Sequence, residues 1–318
     1  MMPRPAPEAL RHYHAGGQWG TRTIAQCIDE QVALRGDKLA VKDNGGRALS
    51  YAQLDAQAAC LAGFFSRRGI GRAVALRLAA QGATVAACAS AHGDELGQLV
   101  AEIRAAGGTA VPLLGDLQQA DTPARLVEQA AAALGGLDAV VGNAGISSPA
   151  PLATLDAAAW DRVFNVNVRA QWLLAKAAHP WLQRSRGSLV AVASMSGVQP
   201  YAGMGPYSAS KAALIMLVRQ LAQEWAADGI RVNCVSPGLV RTPLTQAMYD
   251  IPATKAAREA LVPLHRIAEA DADMAGIVAF LLGPDAGYIS GHNLLADGGL
   301  LDSVQGHIVG RPRSGGQS

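Results

Sequence analysis

The sequence is short of the features that would tie it to a polymer, a membrane or a metal. Only 16% of its 318 residues are charged, and 27 Lys and Arg against 25 Asp and Glu leave a net charge of +2. No dense basic block stands anywhere, so nucleic-acid binding lacks its electrostatic footprint. There are 4 cysteines (Cys27, Cys60, Cys88 and Cys234), widely scattered and without a C-x-x-C pair. They indicate neither a disulfide framework nor a zinc site, and read as small core residues of a reducing compartment. His12 and His14 form an isolated H-x-H in a loose leader, to which no metal is assigned. Long apolar runs are missing too. The opening Met-Met-Pro-Arg-Pro-Ala-Pro has no apolar signal segment, and the uncharged stretch 187–210 is broken by Ser, Gly, Gln and Pro. These absences lead to the expectation of a cytoplasmic protein with no nucleic-acid or membrane partner. What is abundant is apolar surface: 50% of residues are hydrophobic, enough for one large domain with an appendage. A small-molecule role follows as the working expectation.

The middle of the chain alternates regularly. The apolar run 83–88 reads as a strand, 94–106 as a helix, 109–113 as a strand, 122–134 as a helix and 137–141 as a strand. Further strands are expected over 188–194, 230–235 and 292–295, and further helices over 160–178 and 272–282. Repeated strand–helix units predict an α/β fold, a doubly wound parallel sheet covered on both faces. Such sheets bind ligands outside the carboxyl ends of their strands, where Asp116 and the Asn143-Ala144-Gly145 turn fall.

The chemistry concentrates in 194–211. Tyr207 and Lys211 stand 4 residues apart on one helix face, with Pro206 just ahead and apolar helix formers behind. A phenol titrates near ~10, and an adjacent ammonium favours the phenolate; a shift of roughly 3 units would amount to about 4 kcal/mol. Tyr207 is therefore a candidate acid/base near neutrality. Ser194, at the end of a strand-like run, supplies a hydroxyl from a neighbouring element. Taken alone, Tyr and Lys at this spacing are also an ordinary helical pair.

In combination, Ser194, the Tyr-x-x-x-Lys of 207–211, Asn233-Cys-Val-Ser-Pro-Gly238 and Asp297-Gly-Gly299 resemble the short-chain dehydrogenase/reductase family over about residues 68–300. The resemblance implies a Rossmann-like domain, NAD(P)-dependent interconversion of a carbonyl and a secondary alcohol, and assembly as a homotetramer or homodimer. Apolar stretches at 209–218 and 160–178 fit that assembly. It implies catalysis by Ser194, Tyr207 and Lys211, with Lys211 lowering the tyrosine pKa, and with Asn167 bending its helix to hold a relay water. It also implies a cofactor site made of Arg68, Gly69, Ile70, Gly71, Ser90, Asp116, Asn143, Ala144, Gly145, Tyr207, Lys211, Pro237, Gly238, Val240 and Thr242. NAD enzymes of the family carry an acid at the end of the second strand. Here the place is Ala89, followed by Ser90, and with Arg68 nearby NADP is preferred over NAD. Asp116 matches the adenine contact but equally reads as a turn or cap residue. Thr242-Pro243 also reads as a helix N-cap followed by proline. Residues 244–265 are the expected cover over the substrate.

The amino-terminal part departs from the family. Residues 1–20 form a leader. Residues 21–68 read as strand, turn, strand and an amphipathic helix over 55–65, similar to the opening of an adenylate-forming enzyme, though no phosphate loop follows. The main domain is placed at 69–302 and a tail at 303–318. Where the family has Thr-Gly ahead of its Gly-Ile-Gly, this chain has Phe64-Phe65. Either 60–65 is recruited as a substitute first strand, or that central strand is missing and the chain is a catalytically impaired fusion relic.

Overall fold

In a computed structural model, the described residues are 39–42, 48–50, 59–64, 69–90, 93–242 and 245–303, the first three stretches by backbone alone. Arg68, Phe65, Pro243, the leader with His12 and His14, and the tail beyond Ser303 lie outside them. The chain divides into two units, Met1–Gln57 and Ala58–Ser318. In the first, β1 (Leu39–Lys42) and β2 (Ala48–Ser50) pair antiparallel, two strands where two were expected.

The second unit opens with β3 (Ala59–Phe64), and here the helix expected over 55–65 is overturned. The segment is rich in Ala, which favours a helix locally, but it pairs along its length with β4 (Thr84–Ala89) and also with β6 (Ala139–Gly142). Two flanking ladders outweigh a helix preference of a few tenths of a kcal/mol per residue. Of the two readings left open by the sequence, the substitute strand is the one that forms. The register slips between Ala62 and Phe64, so Gly63 sits at a bulge, where the missing side chain eases the extra residue.

The remaining strands are β5 (Ala110–Leu114), β7 (Ser188–Val192), β8 (Arg231–Pro237), the short β9 (Val240–Arg241) and β10 (Ala268–Glu269), and β11 (Asn293–Ala296). Seven strands make one sheet in the order β5-β4-β3-β6-β7-β8-β11, every neighbour parallel. The chain runs outward from β3 to β5, returns to β6 on the other side of β3, and runs outward again, so strand order reverses between β3 and β6.

Side chains alternate across the sheet, and so do the layers they enter. Val85, Ala87 and Ala89 of β4 pack with α1 (Ile70–Ala80), α2 (Gly93–Ala105) and the late helix 275–282. Ala86 and Cys88 face α3 (Thr122–Leu134) and the helices that follow it. Leu189 and Ala191 of β7 join that second layer, while Val190 and Val192 join the first. Both faces are thus covered, which is why these strands read as unbroken apolar runs.

The long helix expected over 160–178 is three pieces in register: α4 (Ala157–Phe164), a wider π turn over Asn165–Arg169, and α5 (Ala170–Ser185). Next come α6 (Tyr207–Trp225), α7 (Gln246–Tyr249), α8 (Pro252–Leu261) and α9 (Ala275–Leu282). Arg231 ties the last of these to the sheet. Its guanidinium donates to the carbonyls of Leu281, Leu282, Gly283 and Ala286 at 2.6, 2.8, 3.0 and 3.1 Å, closing the carboxyl end of the helix, where carbonyls lack intrahelical donors. Among the described residues no helix is long and apolar enough to cross a membrane.

Candidate active site

A cleft of about 490 Å³ lies along the carboxyl ends of the strands, where the order reverses. At one end β7 stops at Val192, and Ser194 heads a short turn over Met195–Gly197, its Oγ accepting from Ser196 N at 3.1 Å. That turn presses against the start of α6. A Cβ on Gly197 would stand 2.7 Å from the Lys211 carbonyl carbon, so only glycine allows the approach. Tyr207 is the first residue of α6 and Lys211 stands one turn on.

Lys211 is 3% exposed, and its Nζ donates to the carbonyl of Val192 at 2.8 Å. A Cβ on Gly145 would lie 3.0 Å from that Nζ, so the ammonium faces the Asn143–Gly145 turn directly. Burial pulls the Lys211 pKa down to about 8. Burial also pushes the Tyr207 phenol above its usual value, and a hydrogen bond from Ser194 acts in the opposite direction. Here the electrostatics differ from the sequence expectation, in which Lys211 drives the tyrosine down. The ammonium is aimed at a backbone carbonyl, 5.8 Å from the phenol ring centroid, and desolvation outweighs it. Tyr207 is protonated at neutral pH in this form.

Asn167 is fully buried in the π turn. Its Oδ1 accepts from Ile146 N at 2.8 Å, and its Nδ2 donates to Ile146 O and to Ser210 Oγ, each at 2.9 Å. Ser210 in turn donates to the Tyr207 carbonyl at 2.7 Å. One amide therefore fastens the loop after β6 to the helix that carries Tyr207 and Lys211. Gln171 does similar work, donating to Ala144 O at 3.0 Å from a buried position. A Cβ on Gly142 would sit 2.3 Å from the Gln171 Oε1, so this glycine makes room for the glutamine. Ser210, Gln171 and Ile146 were not singled out from the sequence, since their partners lie 21 to 43 residues away.

At the other end, Gly69 precedes α1, whose first turn carries no acidic residue and no side-chain cap. Its free N–H groups make a donor set suited to a phosphate. Gly69, Ile70, Ser90 and Asp116 line the cleft, with Asn143, Ala144 and Gly145 midway and Ser194, Tyr207 and Lys211 beyond them. Pro237, Gly238, Val240 and Thr242 line its far wall. Gly71 is buried within α1, and Asn167 lies behind the wall, so neither lines the cleft. The Asp116 carboxylate accepts from Gln118 N at 3.0 Å, a local turn contact. Ala89 is 2% exposed and belongs to the core, so Ser90 is the residue presented at the end of β4. Thr242 is not the N-cap of a described helix. Helix α7 starts three residues later behind Thr245, whose Oγ1 accepts from Thr242 N at 3.0 Å and donates to Val240 O at 2.8 Å. Cys88 and Cys234 are free and buried, each thiol pushed up to about 12 by desolvation, which leaves them unreactive core residues.

The free amino end of α1, the buried ammonium beside Gly145 and the glycine-lined middle fit a dinucleotide laid along the cleft. Comparison with known proteins agrees. The family model described as enoyl-(acyl carrier protein) reductase matches residues 63–301. Dehydrogenase/reductase SDR family member 4 of Bos taurus is 36% identical over 241 residues, covering 75% of this chain and 86% of that protein. Cis-4-hydroxycyclohexanecarboxylate dehydrogenase of Sinomonas cyclohexanicum is 39% identical over 234 residues, covering 73% and 92%. A blue fluorescent protein from a metagenomic library, solved in complex with NADPH, has a TM-score of 0.70 at 34% identity, covering 76% of this chain and 97% of that one.

Proposed function

The chain belongs to the short-chain dehydrogenase/reductase family and is an NAD(P)-dependent oxidoreductase, and from that premise we propose that it interconverts a carbonyl and a secondary alcohol with Tyr207 as the acid/base. The observation that carries this is the meeting of Ser194, Tyr207 and Lys211 in the wall of one cleft, with Lys211 one helical turn beyond Tyr207. The bound nicotinamide supplies the hydride in reduction and accepts it in oxidation. In reduction Tyr207 gives its proton to the carbonyl oxygen as the C=O π pair moves onto that oxygen, and Ser194 hydrogen-bonds the developing alkoxide. A raised phenol pKa keeps Tyr207 in the donating form. Lys211 directs its remaining N–H donors into the cleft beside Gly145, where the nicotinamide ribose would lie. Asn167 holds the loop and the catalytic helix in register and serves the proton relay.

NADP is preferred over NAD in this proposal. Its support is the hydroxyl of Ser90 at the end of β4, where a carboxylate would repel a 2′-phosphate. A homotetramer or homodimer is proposed from the apolar side chains left at the surface of α5 and α6, Trp172 at 43% and Met216 at 59% exposure; sedimentation as a concentration-independent monomer would refute it. We further propose a cytoplasmic location and a likeness of residues 21–68 to the opening of an adenylate-forming enzyme, the latter supported by the β1–β2 pair. The activity itself is tested with NADPH deuterated at nicotinamide C4 and a panel of ketones. Deuterium at the carbinol carbon of the alcohol product is the expected outcome, and unlabelled product would refute direct hydride transfer.

A further inference from the structure

The cover over the cleft contains a polar pair that the hydride chemistry does not use. Tyr249 ends α7 and is 4% exposed, yet its hydroxyl has no hydrogen-bond partner among the described residues. A phenol so buried ordinarily finds one, because leaving it unpaired costs about 1–3 kcal/mol. Arg258 on α8 lies over the Tyr249 ring, its guanidinium carbon 5.7 Å from the centroid. Both residues line the same cleft as Ser194, Tyr207 and Lys211. The carboxylates of the cover are taken: Asp250 accepts from Gln246 at 2.6 Å, and Glu259 pairs with Lys255 at 2.8 Å. Arg258 makes no ion pair with a described residue, so a cation without a carboxylate stands on the ring of a phenol without a described partner, both residues belonging to the wall of the cleft.

We propose that Tyr249 and Arg258 receive a carboxylate on the substrate, making the enzyme's substrates hydroxy acids and the corresponding keto acids. The inference rests on the hydride-transfer reading of the cleft and names the substrate class for it. A planar guanidinium offers two parallel N–H donors to a carboxylate, and the phenol supplies a third to the same group. One guanidinium balances one negative charge, which matches a carboxylate better than a doubly charged phosphate. The ring beneath the guanidinium holds it in place, so little side-chain entropy is lost on binding.

The test uses the full chain saturated with NADP and two ligands with the same ring and ketone, the anion 4-oxocyclohexanecarboxylate and its neutral methyl ester. Calorimetric titration is expected to show the acid binding at least ~10-fold more tightly than the ester, the scale of a hydrogen-bonded ion pair. Arg258→Ala is expected to abolish that preference, Arg258→Lys to restore part of it, and Tyr249→Phe to reduce it about 3-fold. Circular dichroism and melting temperature report whether each variant is folded. Equal binding of acid and ester by the parent, no binding of the acid, or a preference that survives in folded Arg258→Ala would overturn the proposal. Titration in the Tyr207→Phe background separates it from the catalytic reading. A charge preference kept there alongside full turnover would remove Tyr207 from catalysis and leave the carboxylate site standing.

Discussion

The two ends of the cleft reach a common architecture by different means. At the catalytic end the geometry depends on particular side chains: Asn167 bonded to Ile146 and Ser210, Gln171 to Ala144, Lys211 to Val192. At the end beside α1, where the cofactor phosphates are proposed to lie, it depends on backbone. The strand Ala59–Phe64 takes the central place between β4 and β6 without the Thr-Gly of the family pattern, and α1 follows from Gly69. Ladder hydrogen bonds are indifferent to side-chain identity, whereas a buried amide joining two loops is not. An apolar segment of suitable length can therefore replace a strand, while the Ser-Tyr-Lys cluster has no such substitute.

Breaking the catalytic end has the largest effect. Tyr207→Phe is expected to lower turnover at least ~100-fold, the usual range for loss of a general acid, with NADPH affinity nearly unchanged. Stopped-flow turnover together with equilibrium titration checks both halves. At the adenosine side of the other end, Ser90→Asp is expected to shift the ratio of NADPH to NADH affinity toward NADH about 30-fold, through repulsion of the 2′-phosphate. Ser90 is the better probe than Ala89, because an aspartate at 89 would enter the core. Equal affinities for the two cofactors in the parent would show that this position does not read the phosphate.

Exchanging residues 63–66 for Val-Thr-Gly-Gly sharpens the comparison at its weakest place. If the glycine turn adds one charged hydrogen bond of ~1.5 kcal/mol, NADPH affinity rises about 10-fold and the melting temperature in its presence rises with it. An unchanged affinity would mean that the substitute strand already serves the pyrophosphate fully. The smallest effect is a pH dependence. Lys211 is charged below its pKa of about 8 and neutral above it, so cofactor affinity falls as pH rises through that value. About 5-fold is expected, the difference of ~1 kcal/mol between a charged and a neutral hydrogen bond. Lys211→Met should bind weakly at every pH and lose the dependence.

Much of this arrangement was legible in the residues. The apolar runs of the sheet, the helix 122–134 and the Ser194, Tyr207 and Lys211 spacing could be read directly, because burial on both faces and helical pitch leave local traces. Ala59–Phe64 reads both as the end of a helix and as a substitute strand, because its composition favours a helix and only pairing with β4 and β6 decides between them. The sign of the Tyr207 shift was missed for a related reason: spacing reveals the nearby ammonium but not the loss of water around the phenol. Gln171, Ser210 and Thr245 left no signal, since each is an ordinary polar residue until its partner is brought to it.

The central claim is that a chain lacking the family's Thr-Gly still builds a working cofactor cleft around β3. Titration of the purified parent with NADPH and NADH, followed by nicotinamide fluorescence, tests it most directly. The account predicts saturable binding of one cofactor per chain, tighter for NADPH. Absence of saturable binding of either cofactor up to millimolar concentration would contradict it.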